Sequence, residues 1–199
     1  MNISGGRICA SLTGGYMRKY ITDAEWTAFF GAISGSTTEL RDKAMFKVAY
    51  RHGLRVSELT GLRVTDLDMT GKTLFIRRLK NGFSTIHPLQ NETHHLISAW
   101  LDIRQSLAAR ENHWLFVSMD GKRLSRQWVY KLSRKYGQKS GISVQVHPHM
   151  LRHACGYALA NQGLDTRLIQ DYLGHRNISH TVRYTASNPN RFIKVWQNK

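Results

Sequence analysis

The sequence predicts an α+β fold, mainly α-helical with a small antiparallel β-sheet. Three observations carry that expectation. Apolar residues recur at helical spacing over most of the chain. Capping and stop signals bracket those stretches. One alternating segment, residues 73–78, is followed by Lys80-Asn81-Gly82 and a second extended run to Pro88, the pattern of a single hairpin. With 199 residues, 41% hydrophobic and 21% charged, the chain suits one globular domain with a core of its own.

Residues 1–18 are read as a flexible Gly/Ser-rich tail, with Met17 as an alternative start. Thr22 and Glu25 form a capping box ahead of Trp26, Phe29, Phe30 and Ile33, and Gly35 is the expected stop. A second helix starts near Thr38, with Leu40, Ala44, Val48 and His52 on one stripe and Met45 and Ala49 beside it. Gly53 ends it, and Val56, Leu59 and Leu62 begin a short third helix. After the hairpin, His95, Leu96, Ala99, Trp100 and Ile103 give a helix from Asn91. Leu115 to Val117 reads as a short strand, and Asp120-Gly121 as a turn. Ser125 caps a helix carrying Trp128, Val129, Leu132 and Tyr136. The next helix covers residues 149–162, closed by Gly163. Asp165 caps another with Leu168, Ile169, Tyr172 and Leu173, and Gly174 stops it. A last short helix is expected from Pro189 to Trp196. The domain thus runs over residues 19–188, with 189–199 a C-terminal segment that packs on its own chain or docks on a neighbour.

Charge narrows the function. Twenty-nine Lys and Arg against 13 Asp and Glu give a formal +16. Such an excess points to a polyanion, nucleic acid ahead of an anionic membrane or a ribosomal role, against a plainly solvated basic surface. Cys9 and Cys155 lie far apart, so neither a disulfide framework nor zinc-finger spacing is present. No apolar run is long enough for a spanning helix and no signal-peptide core opens the chain, so a cytoplasmic protein is expected.

The chemistry is narrowed by elimination. His149 and His153 stand four apart, but Met150 occupies the place where a zinc protease motif needs its glutamate, so no metal site is expected. The chain has no Gly-x-Ser-x-Gly elbow, P-loop or Gly-x-Gly-x-x-Gly. Phosphoryl transfer without a cofactor remains. It needs cations on the nonbridging oxygens, a nucleophile, and an acid for the leaving oxygen. Arg55, Lys80, His149, Arg152, His175 and Tyr184 could supply all of these. Arg55 sits among apolar neighbours, where it either pairs with Glu58 three residues on or faces a ligand. The hairpin's Arg77 and Arg78 are either a solvated edge or an arm for DNA. Lys122 and Arg123, then Arg126, Lys131, Arg134 and Lys135 on one helix face, can track phosphates.

Taken in order, GLRVSELTGL around Arg55, the hairpin Lys80, HMLRH at 149–153, LGH at 173–175 and Tyr184 resemble the tyrosine recombinase (phage integrase) family over roughly residues 20–190. RLKNGFSTIHPL, HPHMLRHACG and LDTRLIQDYLGHRNISHTVRYTASN are most similar to its fimbrial phase-variation branch, which inverts a promoter-bearing segment between inverted repeats. The resemblance implies a recombinase catalytic-domain fold and a 3′-phosphotyrosine intermediate. It implies that Arg55 and Arg152 clamp the scissile phosphate, that His175 adds a hydrogen bond, that Tyr184 attacks and that Lys80 protonates the leaving 5′-oxygen. His149 becomes the acceptor of the tyrosine proton, Glu58 a support for Arg55, and His153 a structural neighbour. It implies no cofactor, and as partners double-stranded DNA with inverted repeats, further copies in a tetramer on DNA, and accessory DNA-bending proteins, with the protein at the nucleoid. Only about twenty residues precede the first expected helix, so no separate N-terminal DNA-clamping domain of the kind common in the family is expected. A non-catalytic DNA-binding regulator and a type IB topoisomerase are the competing readings.

Overall fold

The computed structural model describes residues 18–79, 82–108 and 111–186. The N-terminal tail, Lys80, Asn81 and the expected helix from Pro189 lie outside the described residues. In chain order the elements are α1 (Asp23–Gly31), α2 (Glu39–Arg51), α3 (Val56–Leu59), a 3-10 turn (Val64–Asp66), β1 (Leu67–Asp68), β2 (Thr73–Ile76), β3 (Thr85–Pro88), α4 (Asn91–Leu107), α5 (Arg126–Lys139), α6 (Pro148–Asn161), α7 (Thr166–Leu173) and α8 (Ser179–Ala186). The strands form one antiparallel sheet in the order β1-β2-β3, with Phe75 opposite Ile86.

Local chemistry sets most ends. Thr22 and Glu25 cap α1 reciprocally. That helix stops at Gly31, four residues before Gly35, so buried Ile33 packs from the following loop. Ser125 Oγ accepts from Trp128 N at 3.0 Å, and Asp165 accepts from the amides of Arg167 and Leu168. Pro148 opens α6 where its missing N–H is harmless. Gly174 closes α7 in the left-handed region, at φ 64°.

The core lies between α2, α4, α5 and α6, centred on Phe29, Phe46, Trp100 and Tyr136. Leu40 and Leu168, expected to pack, are exposed. Leu115 to Val117 is fully buried but is not a strand. It is flanked by isolated bridges, Arg63 with Trp114 and Val117 with Arg123, and has no continuous partner. Instead Trp100 Nε1 donates to Leu115 O at 2.8 Å. A buried ion pair completes this core. Arg41 Nε donates to Asp42 Oδ1 at 2.8 Å and its Nη1 to Val117 O at 3.2 Å, while Tyr136 Oη donates to Asp42 Oδ2 at 2.7 Å. Helix α8 has no counterpart in the sequence expectation. It packs on α6 and α7 and carries Tyr184.

Candidate active site

Glu58 is where the site is assembled. Lying on the one-turn helix α3, its Oε2 accepts from the Arg55 amide at 2.9 Å and its Oε1 from Arg55 Nη1 at 2.6 Å. The same carboxylate receives Arg78 Nη1 at 3.0 Å and faces Arg152 Nη1 at 3.8 Å. Three guanidiniums therefore crowd one carboxylate. Burial alone would raise the Glu58 carboxyl, but the Arg55 amide and the surrounding arginines bring it below its ordinary value. Burial and then repulsion from Arg55 and Arg78 lower Arg152 to about 10, still charged at neutral pH. The expected Arg55–Glu58 pair exists, yet it is one edge of a larger and unbalanced cluster.

Arg152, 2% exposed, is aimed by two carbonyls: Nη1 donates to Gly53 O at 2.5 Å and Nη2 to Leu173 O at 2.8 Å. Leu173 O is a helix-end carbonyl with no partner inside α7, and Gly53 O belongs to the connection between α2 and α3. His175 follows the α7 stop, and its Nδ1 lies 2.9 Å from the hydroxyl of fully buried Thr181. A Thr181 hydroxyl donating to Nδ1 leaves Nε2 as the proton-bearing nitrogen, free to donate onward. Burial, then Arg152 and Arg55, lowers His175 to about 3, so it is neutral at physiological pH.

Tyr184 is buried, 1% exposed, against α6. Gly156 makes that possible: a Cβ there would stand 2.6 Å from Tyr184 Cε2. Burial raises the phenol to about 12, with Arg152 and Arg183 pulling the other way. Its hydrogen-bond partner is His153, whose Nδ1 lies 2.9 Å from the hydroxyl. The phenol thus meets His153, where the sequence expectation placed His149 as its proton acceptor. His153 is more than a structural neighbour, and exposed His149 meets the phenol only through it, its ring 5.0 Å from that of His153. Burial and then neighbouring His149 hold His153 near 4, neutral and able to accept a proton.

Two open cavities flank Arg55. One, about 670 Å³, is lined by Arg55, His175, Arg167, Arg176 and His180. The other, about 700 Å³, is lined by Val56, Arg126, Lys131, Tyr130, His147 and His149. The sequence missed Arg167 and Arg176, which stand on the α7 face and in the loop after His175 without any motif of their own. Of the expected DNA-facing residues, Arg126 and Lys131 lie beside the site. Lys135 is exposed, Arg134 half-buried, and exposed Arg77 lies 4.0 Å from Asp66. Lys122 is exposed but pairs with Asp120 at 3.0 Å. Arg123 is tied down, donating to Thr60 O at 2.8 Å and lying 4.0 Å over the Trp114 ring. Arg78 is a plain correction: its side chain has no exposed surface, so it cannot face DNA, because it lies past the end of β2 and turns inward to Glu58. Among the described residues no three His, Cys, Asp or Glu side chains are arranged to hold a metal ion, and Cys155 is buried with its thiol toward Arg51 O.

An arginine cradle beside a buried tyrosine, on a helical domain with one hairpin, is the layout of an enzyme that transfers DNA strands through tyrosine. The chain belongs to the phage integrase family, which matches residues 19–191, and is a site-specific tyrosine recombinase. It is 50% identical over 181 residues to type 1 fimbriae regulatory protein FimE of Escherichia coli (strain K12), covering 90% of this chain and 91% of that one. FimB of the same strain is 47% identical over 179 residues, 90% of each. Among solved structures, XerA recombinase shares 28% identity at a TM-score of 0.78, over 92% of this chain and 65% of that one. XerH bound to palindromic difH substrate, at 23% identity and a TM-score of 0.76, shares the fold, with 90% of this chain and 53% of that one covered. The chain therefore spans nearly all of the fimbrial regulators but less than two thirds of these solved recombinases.

Proposed function

We propose that this recombinase inverts a promoter-bearing DNA segment between inverted repeats and so controls fimbrial phase variation. The near full-length likeness to the two fimbriae regulatory proteins supports the biological setting. The observation that carries the chemistry is the unbalanced cluster of Arg55, Arg78 and Arg152 on Glu58 beside the stored phenol of Tyr184.

That cluster holds a surplus of two positive charges. A phosphodiester carries one negative charge, and its pentacoordinate transition state carries two. The cradle thus matches the transition state better than the ground state, which is the condition for acceleration. Arg55 and Arg152 hold the nonbridging oxygens, with His175 Nε2 as a further donor. Tyr184 Oη forms a bond to phosphorus as the bond to the 5′-oxygen breaks. The phenolic proton passes to His153, with His149 next in line, and Lys80 supplies a proton to the departing oxygen. The 3′-phosphotyrosine retains the bond energy, so the 5′-hydroxyl of another strand can reverse the step without a nucleotide. Cavity-lining Arg126 and Lys131 contact the DNA backbone. The working assembly is a tetramer on DNA, with accessory DNA-bending proteins giving grip beyond this one domain.

The test is incubation with a nicked suicide site followed by a denaturing gel. Wild type forms a covalent protein–DNA adduct and Tyr184→Phe forms none; an equal adduct from both rejects the mechanism. Inversion confined to a segment bounded by inverted repeats supports phase switching, whereas relaxation of any supercoiled plasmid favours a topoisomerase. Full cellular function of Tyr184→Phe favours a non-catalytic regulator.

A further inference from the structure

Arg78 is the least exposed cation of the site, and it reaches four segments at once. Its Nη1 donates to Glu58 Oε2 at 3.0 Å. Its Nη2 donates to His52 O at 3.2 Å, just past α2, and to Tyr172 O at 2.5 Å, near the end of α7. Its own amide donates to Ser84 Oγ at 3.3 Å, and the next amide, Leu79 N, donates to Glu58 Oε1 at 3.3 Å. Two glycines make room for it. A Cβ on Gly174 would lie 2.7 Å from Arg78 Cγ, and one on Gly82 would lie 3.0 Å from Arg78 Cβ and 2.7 Å from Gly174 O. Removing an arginine so fully from water is expensive unless its hydrogen bonds are satisfied in good geometry.

Each acceptor adjoins a phosphate-binding group. His52 precedes Gly53, whose carbonyl aims Arg152. Tyr172 precedes Leu173, whose carbonyl takes the other end of Arg152, and His175 comes two residues later. Glu58 holds Arg55 by both amide and side chain. We infer that Arg78 is a positioning residue of the strand-transfer reaction, locking α3, the end of α2 and the end of α7 together so that Arg55, Arg152 and His175 meet one phosphate, without itself touching DNA. The inference rests on the proposed phosphotyrosine chemistry. Lysine cannot replace it, because a single ammonium on a flexible stem cannot reproduce a planar fork aimed at a carboxylate and two carbonyls.

The experiment is single-turnover cleavage of a suicide site at saturating DNA, well below each variant's melting temperature. Rate and amplitude are read separately. For Arg78→Lys, which keeps the charge, the amplitude stays near wild type and the rate falls on the order of 100-fold, the penalty of misplaced reacting groups. Gly82→Ala, which crowds Arg78 without removing it, slows cleavage on the order of 10-fold by the same route. Arg78→Met leaves the slope of log affinity against log salt unchanged, since a buried cation releases no counterions. Reduced amplitude at an unchanged rate marks a merely structural residue and overturns the inference. So does Arg78→Lys cleavage at the wild-type rate, or a slope shallower by about one in Arg78→Met, the signature of a phosphate contact. A Tyr184-dependent adduct from wild type, run in parallel, keeps failure of this inference distinct from failure of the proposed chemistry.

Discussion

Two buried clusters of charge among the described residues differ in their balance. In the core, Arg41 meets Asp42 one for one, with Val117 O accepting from Arg41 and Tyr136 donating to Asp42. At the site, Glu58 faces Arg55, Arg78 and Arg152. The first cluster is balanced in charge and ties α2 to α5 and to the loop after α4. The second is left with two positive charges in excess. Burial alone therefore does not distinguish scaffold from chemistry; the sign of the leftover charge does.

The contrast can be broken most forcefully at Asp42. Asp42→Asn leaves Arg41 buried without its carboxylate and should cost about 3–5 kcal/mol in urea denaturation. The molecules that remain folded should cleave DNA at the wild-type rate. Arg152→Ala should do the reverse. Its cleavage rate should fall by about 10²- to 10³-fold, while stability drops less than in Asp42→Asn, because repulsion from Arg55 and Arg78 is relieved. Equal destabilisation by the two substitutions would dissolve the distinction.

A smaller effect comes with acid. Burial holds His52 near 3 and His87 near 4, and His153 and His175 are lowered too, against an ordinary value near 6.5. Since the unfolded chain takes up these protons first, stability is full above about pH 6.5 and is lost as pH falls toward 4. The slope approaches about 1.4 kcal/mol per pH unit for each histidine that titrates on unfolding alone. Chemical denaturation across pH 4–7 measures it, and His52→Gln should flatten the curve. The smallest expected change concerns anions. Sulfate should raise the melting temperature of wild type by about 2–4 °C through binding to the folded state. The rise should persist in Asp42→Asn and vanish in Arg152→Ala.

Much of this was legible in the sequence. The helices α1, α2, α4, α5, α6 and α7 carry strong caps or stripes, and the residues proposed for the chemistry stand in an ordered motif. What could not be read were relations across segments. Glu58 looked like a partner of Arg55 because they are three apart; nothing local shows that Arg78 and Arg152 converge on it. Arg78 looked like a basic hairpin edge because its inward turn depends on space left by Gly82 and Gly174, far apart in sequence. Helix α8 is short, its start is marked only by Asn177, whose side chain accepts from the Ser179 amide at 2.9 Å, and it packs against α6 and α7. His153 was undervalued because a sequence shows the spacing of His149 and Arg152 but not which ring the phenol reaches.

Gly156 leaves one more consequence. A glycine inside a helix weakens it by about 1 kcal/mol relative to alanine, and α6 accepts that penalty at a position where the Tyr184 ring presses against it. The absence of a single methyl group works as a holster: it keeps the phenol of Tyr184 sheathed against its own chain. Filling the holster with Gly156→Ala would draw the weapon early, leaving a tyrosine that is more exposed, quicker to be iodinated or nitrated in the free protein, and no longer set against His153.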